Sequence, residues 1–269
     1  MYVNSVREAR TKELLQDSTD ASYTLFRSDF ARFPEKLIPI NVGQRQMDLV
    51  IRLLKELPKL KDFFSISEGL RIPSSYEGET GDLGIVKQYQ FEKWTIVRDG
   101  TFIDKNKLAE VVSATSERFQ KIVKDKILIA EDALFITATL DTNKYVPQGG
   151  VYFGVVTNAD KDIKSVLAIL NSELLSFLYR VLFGGMHMGS GYLRYRTSFL
   201  EELPFPDLSI SQQKILVEMA NIVLAVKHED PAADTLAWEA EIDRLVYQLY
   251  GLTEEEIDVV EQSVHGKKT

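Results

Sequence analysis

Residues 150–206 constrain the fold more than any other stretch of this chain. Residues 151–157 form a continuous apolar run of strand length. After a short polar turn, residues 164–183 carry leucines at 167, 170, 174, 175, 178 and 182. That spacing predicts a helix over 164–183, apolar on much of its circumference, and a helix of that kind belongs in a core. Asn171 and Ser172 fall inside it, where they are expected to cap or to hydrogen-bond locally rather than to touch a partner. A Gly-rich, aromatic and basic loop follows, and the segment closes on Leu203-Pro-Phe-Pro206.

The flanking sequence supplies strands before this segment and helices after it. Residues 1–40 are mixed and read as irregular or as short strands, while 44–60 have near-helical apolar spacing that ends around Pro58. Residues 63–66, 83–91 and 94–102 are short β-branched or aromatic runs separated by turn residues. Residues 106–124 return to helical spacing, and 127–130 and 133–140 resume strands. The tail reads as helical throughout: Ser209 opens a helix to about Lys227, and Pro231 stands near the first turn of the next. That helix continues to Tyr250, where Gly251 ends it. Thr253 and Glu256 have the spacing of a capping box. Strands followed by helices give an α+β class: a mixed, strand-rich body with a helical C-terminal extension. The divisions expected are 1–60 (connecting segment and helix), 61–206 (the body) and 207–269 (the extension).

Composition narrows the chemistry. The chain has no cysteine, which removes thiol catalysis and Cys-ligated zinc, and its three histidines have no metal-ligand spacing on a helix. A Gly-x-Gly after a strand, an Asn/Asp-Pro-Pro-Tyr segment, a P-loop, a G-x-S-x-G elbow and H-E-x-x-H are all missing. Asp125, Glu131 and Asp132 beside Lys124 and Lys126 approximate a Mg²⁺ nuclease cluster but lack its Glu-x-Lys strand. No catalytic residue and no metal is therefore assigned. The longest apolar runs fall short of the ~18–20 residues that a membrane helix needs. The N-terminus has no signal-peptide stretch either, so a cytoplasmic location is expected.

A net charge of −8 argues against nucleic acid until its distribution is seen. Residues 201–269 hold 15 acidic and 5 basic residues of the totals 40 and 32, which leaves 25 acidic and 27 basic for residues 1–200. The acidity belongs to the tail, and the remainder is free to carry a basic face.

The best binding candidate is the loop at 184–198. Gly184, Gly185, Gly189 and Gly191 allow close approach of a partner. Tyr192, Arg194, Tyr195 and Arg196 then gather guanidinium groups and phenols. Arginine pairs bidentately with guanine or with phosphate, and tyrosine hydrogen-bonds or stacks. In a strand, Arg194 and Arg196 share one face and Tyr195 takes the other. The alternative is a Gly-rich turn with solvated arginines. A second candidate set is Lys87, Tyr89, Arg98 and Lys144, for which a solvent-facing sheet and loop tip is the competing explanation. Lys121, Lys124 and Lys126 read as a solvated helix end.

Several of these tracts, in this order, resemble the TaqI-like C-terminal specificity domain of N6-adenine DNA methyltransferases and fused restriction-modification enzymes. They are Ile169-Leu-Asn-Ser172, Tyr192-x-Arg-Tyr-x-Thr-Ser198, Leu203-Pro-Phe-Pro206 and Asp243-Arg-Leu-Val-Tyr-Gln-Leu-Tyr-Gly-Leu252. The resemblance covers about 60–260, and its Asn-Ser helix and Pro-bounded exit recur in type I specificity subunits. It implies a target-recognition domain that reads double-stranded DNA while a methyltransferase domain, in cis or in trans, flips and methylates adenine. S-adenosylmethionine then belongs to that partner and no cofactor to this chain. The methyltransferase half is absent here, so the chain is expected to be either an excised portion or one whose partner supplies catalysis. Two other readings stay open: an enzyme with unrecognised motifs, and a protein-interaction module that uses the acidic tail.

Overall fold

A four-stranded antiparallel sheet forms the centre of the protein, in a computed structural model that describes residues 2–4, 22–40, 42–97, 100–184 and 192–265. The N-terminal part contributes β1 (Tyr2–Asn4), β2 (Ser22–Thr24), the one-turn α1 (Arg27–Phe30) and α2 (Gln44–Glu56). The body continues with β3 (Phe64–Glu68), β4 (Leu83–Val86), β5 (Phe91–Glu92), β6 (Thr95–Ile96), β7 (Phe102–Ile103), α3 (Lys105–Val111) and α4 (Glu117–Ile122). Next come β8 (Lys126–Ala130), β9 (Asp132–Ala133), β10 (Ala138–Asp141), β11 (Val146–Pro147) and β12 (Val151–Val156). The chain then runs through α5 (Ile163–Leu170), α6 (Glu173–Phe183), β13 (Leu193–Arg194), α7 (Thr197–Leu200), α8 (Ile210–Glu229), α9 (Leu236–Leu249) and α10 (Glu254–His265). The class is α+β.

The central sheet has the order β10-β8-β12-β3. Its inner strands β8 and β12 are buried at nearly every position, which is why they read as unbroken apolar runs rather than alternating ones. Gly154 in β12 is required by close approach, since a Cβ there would lie 2.3 Å from the Phe64 ring. Lys126 opens β8 but is no solvated lysine. It is fully buried, forms an ion pair with Asp141 on β10 at 2.5 Å and donates to the Ile122 carbonyl at 2.8 Å. Asp141 stands 15 positions further on, a distance at which spacing alone reveals no pairing. Burial drives both members of this pair toward their neutral forms, Lys126 downward and Asp141 upward.

The helix expected over 164–183 is two helices, α5 and α6, bent by 60° at Asn171 and Ser172. Ser172 is the N-cap of α6, its hydroxyl accepting the Leu175 N–H. Asn171 accepts the Ala138 N–H at 2.9 Å and donates to the Ala138 carbonyl at 3.0 Å. Its amide thus completes the open edge of β10 as another strand would. Ser176 adds a bond from the Ile136 N–H at 3.0 Å. The helical region at 106–124 is likewise divided, into α3 and α4, and α4 is capped by Ser116. In the strand-rich region, the runs at 83–91 and 94–102 are short strands and turns.

The Leu-Pro-Phe-Pro exit lies beside residues 58–61, with Leu60 N–H donating to the Leu203 carbonyl and Phe205 N–H to that of Pro58. Helix α8 packs on α5 and α9, and α10 packs on α2 and α6. Arg52 of α2 grips Glu256 of α10 through two bonds of 2.9 and 2.7 Å. The capping box closes as spaced, with Thr253 N–H donating to Glu256 and Glu256 N–H to the Thr253 hydroxyl. Gly251 ends α9 at φ +59°. One detail differs from the expected tail: helix α9 begins at Leu236, after Pro231 has formed part of a turn. Among the described residues no single helix is long and apolar enough to cross a membrane, and the bent pair α5 and α6 is buried in the core.

Two measurements test these joints. Asn171→Ala leaves the Ala138 N–H without its partner, while the Ala138 carbonyl keeps the Trp94 N–H, and chemical denaturation is expected to show a loss of about 1–3 kcal/mol. Asp243 of α9 accepts the Glu173 N–H at 2.7 Å, and burial pushes its carboxyl up to about 7. A carboxyl whose folded pKa lies above its unfolded value favours the folded state at low pH and loses that contribution as pH rises toward 7. Asp243→Asn keeps the acceptor. It is expected to flatten the pH dependence of stability between about pH 4 and 7 and to raise stability at pH 8 by about 1–3 kcal/mol.

Candidate functional site

The candidate residues meet around a short ribbon outside the central sheet. Strands β9 and β13 pair antiparallel, with Leu193 opposite Ala133 and Arg194 opposite Asp132. Exposure alternates along 192–196: Tyr192, Arg194 and Arg196 face solvent, while Leu193 and Tyr195 are buried. Tyr195, expected as a DNA contact, is therefore removed from the binding surface. Its side chain has no exposure, and its ring stands 4.5 Å from that of Tyr179. Among the described residues its hydroxyl has no hydrogen-bond partner, and burial raises its pKa strongly. The cause is the two-residue period of the strand, which sends Tyr195 into the core whenever the arginines face out.

Buried tyrosines hold the ribbon's backbone. The Tyr179 hydroxyl donates to the Arg194 carbonyl and accepts the Arg196 N–H, both at 3.0 Å. The Tyr152 hydroxyl donates to the Tyr195 carbonyl at 2.9 Å, and the Tyr195 N–H donates to the Glu131 carbonyl at 2.8 Å. Phe183 of α6 stacks on Phe199 of α7 at 4.4 Å. Three consecutive residues of the presenting strand are thus fixed from beneath before any ligand arrives.

Above that support the charges are specific. The Arg194 guanidinium donates through Nε to Asp132 at 3.1 Å and through Nη2 at 3.5 Å, and Glu131 lies 3.8 Å away. These carboxylates, Asp132 first, raise the Arg194 pKa above its ordinary value. The Arg196 guanidinium lies 5.5 Å from the centre of the Phe199 ring and, among the described residues, has no carboxylate partner. Arg180 donates to the Leu134 carbonyl beside β9 at 2.9 Å.

The second set is only partly drawn in. Gln88 donates to the Asp132 carbonyl at 2.6 Å, which brings the turn at Gln88–Gln90 beside β9 and leaves Tyr89 67% exposed. Lys87 is half-buried and committed to Glu77 at 2.5 Å. Lys144 is exposed, but it precedes β11 whereas Lys87 follows β4. Those two strands are parallel, so the lysines occupy opposite ends of their ladder. Arg98, Gly185, His187, Gly189 and Gly191 lie outside the described residues. Gln88, Tyr152 and Tyr179 are not among the sequence candidates, and Glu131 and Asp132 enter there only as part of a nuclease-like cluster. Their roles depend on pairings 15 to 64 positions apart, and the alternation at 194–196 is the local signal that points to them. Among the described residues no acidic and histidine cluster could hold a metal ion.

Comparison with known proteins follows the same ground. Residues 87–205 match the family described as the TaqI-like C-terminal specificity domain. No curated protein matches the chain. Among solved structures it is similar to the type IIL restriction-modification enzyme MmeI in complex with DNA, at 13% identity and a TM-score of 0.48. The similarity covers 75% of this chain and 35% of that one, so the chain spans about a third of that enzyme's length.

Phenol-to-phenylalanine changes separate the two tyrosine roles. Tyr179→Phe is expected to lower stability by about 1–3 kcal/mol in denaturant titration, since two backbone groups lose a partner. Tyr195→Phe removes a hydroxyl that has no partner among the described residues and is expected to leave stability equal or higher.

Proposed function

We propose that this chain, whose residues 87–205 match the TaqI-like C-terminal specificity domain, is the DNA-recognition part of a restriction-modification system. It reads the target in double-stranded DNA in the cytoplasm while a methyltransferase domain, joined or separate, acts on adenine. The observation that carries this reading is the family match itself, whose limits enclose the Gln88–Gln90 turn, β9 and the Arg194–Arg196 strand. The exposed Tyr89, Tyr192, Arg194 and Arg196 on a backbone fixed from below suit a surface built for contact. Lys144, exposed at the other end of the β4–β11 ladder, is proposed as a separate basic contact. The concentration of acid in residues 201–269 keeps repulsion of DNA away from that part of the sequence.

S-adenosylmethionine is the methyl donor of such a system. This chain has neither a Gly-x-Gly turn after a strand nor a Pro-Pro-Tyr segment, so the donor is placed on the partner domain. The chain's own work is to bind and to orient. Lys87, Tyr195 and the carboxylates at 131 and 132 shape and support the surface, while Arg196, with no carboxylate partner among the described residues, is available to a phosphate.

Fluorescence anisotropy with labelled duplexes across a salt series tests the reading. The chain is expected to bind duplex DNA with a strong salt dependence. Arg196→Ala is expected to weaken binding to all sequences alike and to reduce the slope of log affinity against log salt by about 1. Absence of duplex binding at low salt would contradict the reading.

A further inference from the structure

We infer that Arg194 and Asp132 act as one unit that reads a G·C base pair in the major groove and that neither clamps the DNA backbone; this rests on the DNA-recognition reading above. The two residues face each other directly across the β9–β13 pair. A two-stranded ribbon is one of the shapes that the major groove admits. Both side chains reach solvent, Arg194 at 52% and Asp132 at 25%.

Charge decides between base and phosphate. Arg194 has Asp132 at 3.1 Å and Glu131 at 3.8 Å, so the cluster carries one net negative charge and repels a phosphate. A base-pair edge is neutral and presents dipoles, which such a cluster tolerates. A guanidinium has five N–H donors. Asp132 engages those on Nε and one on Nη2, leaving three. Three donors in a fixed plane suffice for the O6 and N7 acceptors of guanine. The carboxylate keeps unused lone pairs, and the complementary cytosine offers an N4 donor. The ion pair therefore displays donors and acceptors side by side, which is the pattern complementary to G·C.

Stability does not explain the arrangement, because an exposed ion pair of this kind contributes little to folding. Orientation does. The Arg194 carbonyl is held by Tyr179, and Asp132's own carbonyl is held by Gln88, so the two partners are fixed at both backbone and side chain. Arg196, one residue beyond Tyr195 on the same exposed side, has no such partner among the described residues and is the phosphate contact of the strand.

Selection from a randomised duplex library with the full-length chain, followed by affinity measurement at several salt concentrations, tests this assignment. The wild type is expected to fix at least one G·C pair. Arg194→Ala is expected to lose discrimination at that pair by about 5- to 150-fold with the salt slope unchanged. Asp132→Asn is expected to lose discrimination at the same pair while overall affinity for DNA holds or rises. Uniform weakening by Arg194→Ala with a shallower salt slope would overturn the assignment and leave DNA recognition standing. A selected site that contains no G·C pair, or one that neither variant alters, would do the same. Binding by the wild type with no sequence preference would overturn both the assignment and the reading beneath it.

Discussion

One buried phenol governs the geometry of the exposed ribbon. The Tyr179 hydroxyl, projecting from α6, bridges the carbonyl of Arg194 and the N–H of Arg196. A single oxygen that donates once and accepts once fixes both peptide groups flanking Tyr195. Because α6 is buried along most of its length, the ribbon inherits the rigidity of the core rather than the freedom of a surface loop. The arginines project from a platform, and in the DNA-recognition role proposed above the charges beside them decide what each one meets.

The position of α6 depends in turn on the break at Asn171 and Ser172. A straight helix over the whole segment would carry its second half along the axis of the first, away from β13. The serine hydroxyl satisfies the first turn of the new helix, and the asparagine amide takes the place of a missing strand at the edge of β10. The Asn-Ser pair is therefore an architectural device. It converts one apolar stretch into two helices, the second of which ends under the ribbon.

Much of this was legible from residue pattern. The apolar runs of β8 and β12 gave their burial, the Thr253 and Glu256 spacing gave the last cap, and the strand period gave the alternation at 194–196. The helix break escaped notice because leucines continue on both sides of it, so the periodicity shows no gap. Tyr195 misled because a phenol serves equally well in a core and at an interface, and only the register of β13 on β9 decides. Lys126 was assigned to the surface by its charge, whereas Asp141 makes the interior acceptable to it. The contacts of Arg194 with Asp132 and of Gln88 with the Asp132 carbonyl are long-range, and no local spacing encodes them.

The account places DNA against the β9–β13 ribbon and the Gln88–Gln90 turn, on the side away from Tyr195. Hydrogen exchange of the full chain, alone and with a duplex it selects, examines this most directly. Protection is predicted at residues 88–90, 131–133 and 192–196, with α8 to α10 unchanged. Protection confined to the acidic C-terminal helices, with the ribbon exchanging as in the free chain, would contradict it.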